Sequence, residues 1–186
     1  MSRQRLEDPW LPPAPDAPLA AAGRLWQIRT AAPEDGRPVQ ELHTRCSPRS
    51  LHQRYLSPLR RLPKSVLEQL LDPRRSHTLL TRSDSGHTVA MATLARGPAD
   101  QGGQEVHLAV LVEDAWQRQG LGTALTDRLL RRAQHADVPC VHADVLSDNA
   151  AMLRILRRTG GVVRTTEWGV ASLTVPTAAR GLAQVQ

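Results

Sequence analysis

One short segment of this sequence has residue types and spacing suited to binding phosphate groups. Glycines let a backbone turn tightly and approach a ligand closely. The first amides of a helix lack partners within it, and the helix dipole adds partial positive charge there, so a helix start attracts phosphate. The segment lies between an apolar stretch ending at Val112 and an amphipathic stretch, and consists of Gln117, Arg118, Gln119, Gly120, Leu121 and Gly122.

Two common phosphate-binding loops do not match this segment. A nucleoside-triphosphate loop needs Gly-Lys-Ser or Gly-Lys-Thr, and the segment contains neither. A dinucleotide-binding loop needs glycines directly after its strand and a third glycine. Here residues 113–119 separate the strand from the glycines, and Leu125 stands at the third position. What remains is the pattern Gln-x-x-Gly-x-Gly at a junction between a strand and a helix.

This pattern resembles the acyl-CoA pyrophosphate motif of the GNAT superfamily of N-acetyltransferases. A second family motif is an asparagine that follows the next strand and opens a short helix ending in glycine. The only asparagine of the chain, Asn149, stands there, with Gly160 at the helix end. The resemblance extends from about Trp26 to Val175 and implies acetyl-CoA as cosubstrate. It implies that the cofactor-binding residues are Leu111, Val112, Gln117, Arg118, Gln119, Gly120, Leu121, Gly122, Thr123 and Asn149.

Two further passages resemble bacterial protein lysine acetyltransferases and their close relatives. One is the segment SPRSLHQRYLSPLRRLP, which begins at Ser47, and the other is the spacing of Asp114, Trp116 and Gln117. The resemblance implies transfer of an acetyl group to an amine, which belongs either to a protein lysine or to a small molecule. The sequence leaves open which amine is the acceptor and which acyl chains are preferred.

In the family the amine attacks the thioester directly, so the site needs a base, an oxyanion donor and a proton for the departing thiolate. The resemblance assigns the oxyanion donor to a backbone N–H near Leu111 and Val112. Many members protonate the thiolate with a tyrosine at the position of Leu156, and a phenylalanine usually stands at the position of Gly161. This chain lacks both side chains, so the source of that proton stays open.

Two residues of one strand are candidates for the base. In the protein acetyltransferase branch a glutamate of the central strand is the base, and this sequence has His107 there. Glu105 lies two residues earlier, on the same strand face. A histidine side chain titrates near neutral pH, which suits a base; His107, Glu105 or neither remain the alternatives. Tyr55, the only tyrosine, lies on the segment that walls the acceptor cleft in relatives, which implies either a packing role or substrate binding as part of that wall.

The surrounding pattern predicts the elements that would hold these residues. We expect a strand from Leu25 to Thr30, three helical segments before Pro73, three strand-like runs, and then alternating helices and strands. In the helix after the glycines, residues 121, 125, 129 and 133 are apolar, which gives it one apolar face. This order predicts a mixed α/β layout around one sheet. The resemblance implies an α/β (α+β) fold, with a GNAT-like mixed, mostly antiparallel central sheet of six to seven strands flanked by helices.

Composition sets the expected boundaries of the domain. Prolines interrupt residues 1–23, so we expect a Pro-rich disordered tail there, an acetyltransferase domain over residues 24–176 and a C-terminal tail over residues 177–186. No apolar run approaches the roughly 18 residues of a membrane span. No signal-peptide stretch is apparent either, which predicts a cytoplasmic protein without a membrane partner. A homodimer stays open.

The distribution of basic residues and the positions of the cysteines bear on other possible functions. The net charge is +6, and all but one of the 24 basic residues are arginines scattered along the chain. A nucleic-acid binder would favour a clustered basic face. Cys46 and Cys140 form no metal-binding pattern with the dispersed histidines, so no metal is expected. The alternative to an enzyme is a non-catalytic, acyl-CoA-binding regulatory domain, which an assay for released CoA would distinguish from a transferase.

Overall fold

One central sheet organises this protein, and helices pack on both of its faces. The computed structural model describes residue 11 and residues 18–59, 61–97 and 105–177. In these residues the strands are β1 (Leu19–Ala21), β2 (Arg24–Thr30), β3 (Ser76–Arg82), β4 (Thr88–Arg96), β5 (Val106–Val112), β6 (Cys140–Leu146), β7 (Val162–Glu167) and β8 (Val170–Pro176). The helices are α1 (Gly36–Arg45), α2 (Pro48–Tyr55), α3 (Lys64–Leu71), α4 (Leu121–His135) and α5 (Ala150–Arg158).

The strand order is β1-β2-β3-β4-β5-β6-β8-β7. Every neighbouring pair is antiparallel except β5 and β6, which run parallel. The predicted mixed, mostly antiparallel sheet flanked by helices is confirmed. The described residues form eight strands rather than the six to seven expected, because β1 is too short to show an alternating pattern.

The strand β1 lies inside the segment for which the sequence predicted a disordered tail over residues 1–23. Leu19 pairs with Trp26 of β2, and the side chains of Leu19 and of the earlier Leu11 are buried. The folded domain therefore begins before residue 24. The strand starts directly after Pro18, the last proline of the segment, so prolines restrict it on one side only.

The other end of the domain also reaches slightly beyond the expected boundary at residue 176. Thr177 is buried, and its backbone N–H donates to the carbonyl of Pro139 at 3.1 Å. The rest of the two predicted tails, residues 1–10, 12–17 and 178–186, lies outside the described residues. Within the described ranges, no helix has both the length and the apolarity that crossing a membrane requires.

The two helices beside the site begin where the sequence predicts. Ser47 caps α2, since its hydroxyl accepts from the backbone N–H of Ser50 at 3.2 Å, and Pro48 occupies the first helical position. Helix α4 begins at Leu121 and buries its predicted apolar face, Leu121, Leu125, Leu129 and Ala133.

Two hydrophobic cores fix the strands of the site from opposite faces. Helices α4 and α5 cover one core, which includes Leu94 of β4 and Leu108 of β5. Helices α1 to α3 cover the other, which includes Met91 of β4 and Leu111 of β5. Burial of each such side chain contributes about 2 kcal/mol. Strands β4 and β5 are therefore held rigidly, and β5 forms one wall of the site.

Candidate active site

Strands β5 and β6 separate toward their carboxyl ends and leave an opening in the sheet. Their only pairing in the described residues joins His107 to His142. Strand β5 stays paired with β4 along its whole length, and the N–H of Glu113 donates to the carbonyl of Val89 on that side. Because peptide groups alternate along a strand, the N–H groups of Val110 and Val112 face the opening.

The alternation of peptide groups along β5 determines which backbone N–H groups near Leu111 and Val112 can be the oxyanion donors. The same alternation turns the N–H of Leu111 toward Met91 on β4, and its side chain is buried beneath α1 to α3. Leu111 is therefore not the donor. The sequence missed Val110, because strand register decides which amides face the opening. The carbonyl of Val112 accepts from the side-chain amide of Gln117 at 3.0 Å, which leaves the N–H of Val112 directed into the opening.

The predicted phosphate-binding residues, from Gln117 to Thr123, come together at the start of α4. Arg118 and Gly120 have positive φ angles of 60° and 74°, so the backbone turns sharply just before the helix. A side chain at position 120 would be strained at this φ, and its Cβ would lie 3.6 Å from the backbone nitrogen of Ala22. Gly122 faces Ile155 of α5, where a Cβ would lie 3.6 Å from the Cδ1 atom. The glycines keep space free beside the first amides of α4.

A hydrogen-bond network anchors this loop to α2. The Asp114 carboxylate accepts from the backbone N–H of Ser47 at 2.8 Å and from the hydroxyls of Ser47 and Ser50 at 2.7 and 2.9 Å. Burial alone would raise the pKa of Asp114, but these hydrogen bonds outweigh it and lower the pKa below its usual value. The side-chain amide of Gln117 donates to the Ser50 hydroxyl at 3.0 Å. The start of α2 and the loop therefore move as one unit.

The loop and α5 border a basic groove. It is lined by residues of the loop and by the polar face of α5, including Arg118, Arg154 and Arg158. No acidic side chain lines it among the described residues. The sequence analysis did not single out Arg154 and Arg158, although their spacing of four residues places them on one helix face. This groove has the charge and the backbone donors that a nucleotide pyrophosphate requires.

Asn149 lies where the groove meets the opening. Its side-chain oxygen accepts from the backbone N–H of Met152 at 3.1 Å and so caps α5. It lines both the groove and the neighbouring space beneath α2. The side chain thus fixes the start of α5 beside the expected cofactor position.

The space beneath α2, called the cleft below, is lined by Ser50, Gln53, Arg54, Ala109, Val110 and Asp144, among others. Arg54 and Asp144 give it one cation and one anion. The Nε atom of Arg54 is buried without a hydrogen-bond partner in the described residues, and burial lowers its pKa. The Asp144 carboxylate accepts from the Ser172 hydroxyl at 2.6 Å. Sequence analysis singled out neither charge, because they come from distant parts of the chain.

His107 and Glu105 lie together at the amino end of β5, outside the set of residues that line the cleft. The Nε2 atom of His107 is 3.4 Å from a carboxylate oxygen of Glu105, and the side chains are 38% and 56% exposed. His107 is on the same strand face as Ala109, which lines the cleft, although His107 itself does not line it. The ring of His142, which the sequence did not single out, lies 5.8 Å from that of His107. The two base candidates are therefore adjacent and accessible to solvent.

Tyr55, for which the sequence leaves packing and substrate binding open, packs between Arg54 and His43. It is absent from the described residues that line the cleft. One ring nitrogen of His43 lies 2.6 Å from the Val39 carbonyl and donates to it, so the other accepts from the Tyr55 hydroxyl. Burial raises the pKa of Tyr55. Its ring lies 4.7 Å from the guanidinium carbon of Arg54, so it supports a cleft residue rather than forming the wall.

The positions of the usual tyrosine and phenylalanine are occupied by residues that cannot replace them. Leu156 is fully buried in the core under α4 and α5. A Cβ at Gly161 would lie 2.7 Å from the carbonyl oxygen of Leu156, so no side chain fits there without a backbone shift. The chain therefore has no phenol at the place where many relatives protonate the thiolate.

Comparisons with known proteins show the family and the fold of this chain. Residues 36–160 match the model of the acetyltransferase (GNAT) family. The fold is similar to the GNAT domain of S. lividans PAT, with a TM-score of 0.75 at 22% identity over 90% of this chain and 97% of that one. It is similar to a putative acetyltransferase from Salmonella typhimurium with its cofactor acetyl-CoA, with a TM-score of 0.67 at 19% identity over 87% and 99%. A third similar structure is a phosphinothricin acetyltransferase from Sinorhizobium meliloti in complex with acetyl-CoA, with a TM-score of 0.65 at 14% identity over 81% and 88%.

Proposed function

The chain belongs to the GNAT family of acetyltransferases and is an acetyl-CoA-dependent acetyltransferase; on this premise we propose that it acetylates an amine by direct attack. The acceptor amine belongs to a protein lysine or to a small molecule. The observation that supports this proposal is the β5–β6 opening, which joins the basic groove to the cleft. A thioester lying in the opening would meet an amine that arrives through the cleft.

In the groove, the ligand would be the nucleotide half of acetyl-CoA. The loop amides at the start of α4 would bind the pyrophosphate, because they are unpaired within the helix. Arg118, Arg154 and Arg158 would pair with phosphate oxygens. Gln117 and Asp114 act indirectly, since their hydrogen bonds hold the loop in place.

In the opening, acetyl transfer would proceed by one addition step and one elimination step. The amine nitrogen attacks the thioester carbon, a C–N bond forms, and the carbonyl oxygen becomes an oxyanion. The N–H groups of Val110 and Val112 face this space and would donate to the oxyanion. The C–S bond then breaks, and the electron pair leaves with sulfur as CoA thiolate. The nitrogen, positively charged after its attack, releases one proton, and uptake of a proton by the thiolate balances the step.

The attacking amine must first lose its proton, and His107 is the residue we propose to receive it. His107 shares a strand face with the cleft residue Ala109 and contacts Glu105. It would take the proton through a bound water, because its own ring does not line the cleft. Glu105 would stabilise the imidazolium that results.

The cysteines offer no covalent route that would compete with direct attack. Burial, together with the nearby carboxylates of Asp114 and Glu113, raises the pKa of Cys46 to about 12. A thiol with this pKa is protonated at neutral pH and is a poor nucleophile. Cys140 does not line the cleft.

The sequence likeness to bacterial protein lysine acetyltransferases is a finer proposal about the same site. The likeness to the GNAT domain of S. lividans PAT supports it at the level of the fold. Two classes of acceptor therefore need to be tested: proteins with accessible lysines, and small molecules with a free amine.

The test is an assay of CoA release from acetyl-CoA over a broad panel of amines and lysine-containing proteins. We expect time-dependent thiol formation with at least one acceptor, together with an acetylated product of the correct mass. Tight acetyl-CoA binding without release of thiol for any acceptor would instead support a non-catalytic, CoA-binding regulatory domain.

A further inference from the structure

Arg54 is a cation of the cleft that has no anionic partner in the described part of the chain. Its Nε atom is buried without a hydrogen bond. Its guanidinium carbon lies 4.7 Å from the centre of the Tyr55 ring. The Arg54 side chain is half-buried, and a guanidinium nitrogen buried without a hydrogen bond carries a desolvation cost that an anionic ligand would offset.

The phosphates of acetyl-CoA are not the anion that Arg54 would bind. Arg54 lines the cleft but does not line the basic groove. The groove has its own cations, Arg118, Arg154 and Arg158, beside the glycine loop. The missing anion therefore enters through the cleft, with the acceptor.

The support beneath Arg54 fixes the direction of its guanidinium group. Tyr55 donates its hydroxyl hydrogen to His43, and His43 in turn donates to the Val39 carbonyl. The phenol ring is held in place by this chain of contacts and presents its face to Arg54. Arg54 is thus positioned before any ligand arrives, which is typical of a binding residue.

Asp144 gives the same cleft an opposite charge on the β6 side. One of its carboxylate oxygens accepts from the Ser172 hydroxyl. The Asp144 side chain is exposed, so its carboxylate is accessible to a ligand. A cleft with a guanidinium on the α2 wall and a carboxylate on the β6 wall matches a molecule that carries both an ammonium and a carboxylate group.

We propose that the acceptor is a free amino acid, whose carboxylate binds Arg54 and whose ammonium group is drawn toward Asp144. This inference rests on the proposed function, since it names the acceptor of that same reaction. A lysine side chain within a protein carries no carboxylate beside its amine and would leave Arg54 unpaired. A free amino acid carries both charges in one small molecule.

The experiment is a calorimetric titration of the protein saturated with CoA, because binding can then be measured without turnover. The probes are the proteinogenic L-amino acids and the carboxamide of each, which has the amine but not the carboxylate. The variants are Arg54→Gln and Arg54→Lys, and the matched control is Arg49→Gln. Arg49 is an exposed cation on the same helix, near Asp148 and outside the cleft.

We expect at least one amino acid to bind about 10- to 100-fold more tightly than its carboxamide, as a charge-assisted hydrogen bond requires. Arg54→Gln should remove this difference, Arg54→Lys should restore part of it, and Arg49→Gln should preserve it. Unchanged CoA affinity in Arg54→Gln shows that this variant is folded.

Equal binding of every amino acid and its carboxamide would overturn the inference, and so would a preference that survives in Arg54→Gln. Tighter binding of a lysine peptide with a glutamate neighbour than of any free amino acid would also overturn it. The proposed function fails separately: a protein that prefers amino acids through Arg54 but releases no CoA from acetyl-CoA keeps an amino-acid binding site at Arg54, but the amino acid is then not an acceptor. Acetyl transfer without any preference for a carboxylate would support the proposed function and overturn this inference.

Discussion

The basic groove and the cleft differ in how the chain builds them. The groove consists of one continuous loop, the first amides of α4 and one face of α5, and its donors are largely backbone groups. The cleft is assembled from side chains of α2, β5 and β6, and its charges, Arg54 and Asp144, come from distant parts of the chain. The groove, where the cofactor is expected, therefore depends on local backbone shape, whereas the cleft depends on the tertiary fold.

The largest expected effect is on the groove, through Gly120→Asp. The backbone at this position has a φ of 74°, and a carboxylate there would lie beside the expected pyrophosphate. Strain and charge repulsion together should weaken acetyl-CoA binding about 1000-fold. Calorimetry of acetyl-CoA binding is the measurement.

The control for this change is Gly86→Asp in the β3–β4 hairpin. Gly86 has a similar φ of 80°, with no atom near its missing Cβ, so this variant has the strain without the ligand contact. It should bind acetyl-CoA like the wild type. Equal affinities in Gly120→Asp and Gly86→Asp would show that the loop does not hold the cofactor.

A change at the proposed base should affect turnover and leave cofactor binding intact. His107→Ala removes the proposed base, so kcat should fall about 100-fold, whereas the acetyl-CoA affinity should not change. The exposed His87 provides the control through His87→Ala. Wild-type rates in both His107→Ala and Glu105→Ala would eliminate the two base candidates together. A fall only in Glu105→Ala would identify Glu105 as the base.

A change in the core should disturb neither region at neutral pH. His77 is 3% exposed, and burial together with Arg132 lowers its pKa to about 4. An unfolded histidine titrates near 6.5, so the unfolded state takes up the proton first as the pH falls below that value. The contribution of neutral His77 to stability is therefore complete above about pH 6.5 and is lost progressively toward pH 4.

Urea unfolding at pH 7 and pH 5 measures this loss. Between these values the free energy of unfolding of the wild type should fall about 2 kcal/mol more than that of His77→Leu. His87→Leu, at an exposed position, should behave like the wild type. The same pH dependence in wild type and His77→Leu would mean that His77 is not buried as a neutral group.

The smallest expected effect returns to the groove and its exposed arginines. Arg154→Ala should raise the Kd for acetyl-CoA about fivefold, because an exposed ion pair contributes little, and added salt should reduce the difference. Arg157 is on the same helix but does not line the groove, so Arg157→Ala is the matched control. Equal effects of the two changes would indicate general charge attraction instead of a contact in the groove.

The sequence predicted the groove better than the cleft for the same physical reason. The glycine loop, the start of α4 at Leu121 and the asparagine cap of α5 are all local patterns. The order of helices and strands along the chain followed from hydrophobic periodicity, whereas the mostly antiparallel sheet followed from the family resemblance. The orientation of the Val110 amide, the place of Tyr55 behind Arg54 and the charge on Asp144 depend on strand register and helix packing, which no short pattern contains.

The strand β1 is another element that sequence patterns do not predict. Three residues are too few for alternation to be recognised, and the preceding prolines indicate a tail. Pairing of Leu19 with Trp26 and burial of Leu11 hold the segment in the fold. These contacts are long-range, so they become visible only in the structure.

The most direct test of the account is a crystal structure of the protein with acetyl-CoA. Such a structure would show whether the β5–β6 opening joins a cofactor groove to an acceptor cleft. We expect the pyrophosphate to accept hydrogen bonds of about 3 Å from amides at the start of α4. The thioester oxygen should lie within the same distance of the N–H of Val110 or Val112. A pyrophosphate bound away from the glycine loop, or a thioester outside the opening, would contradict the account.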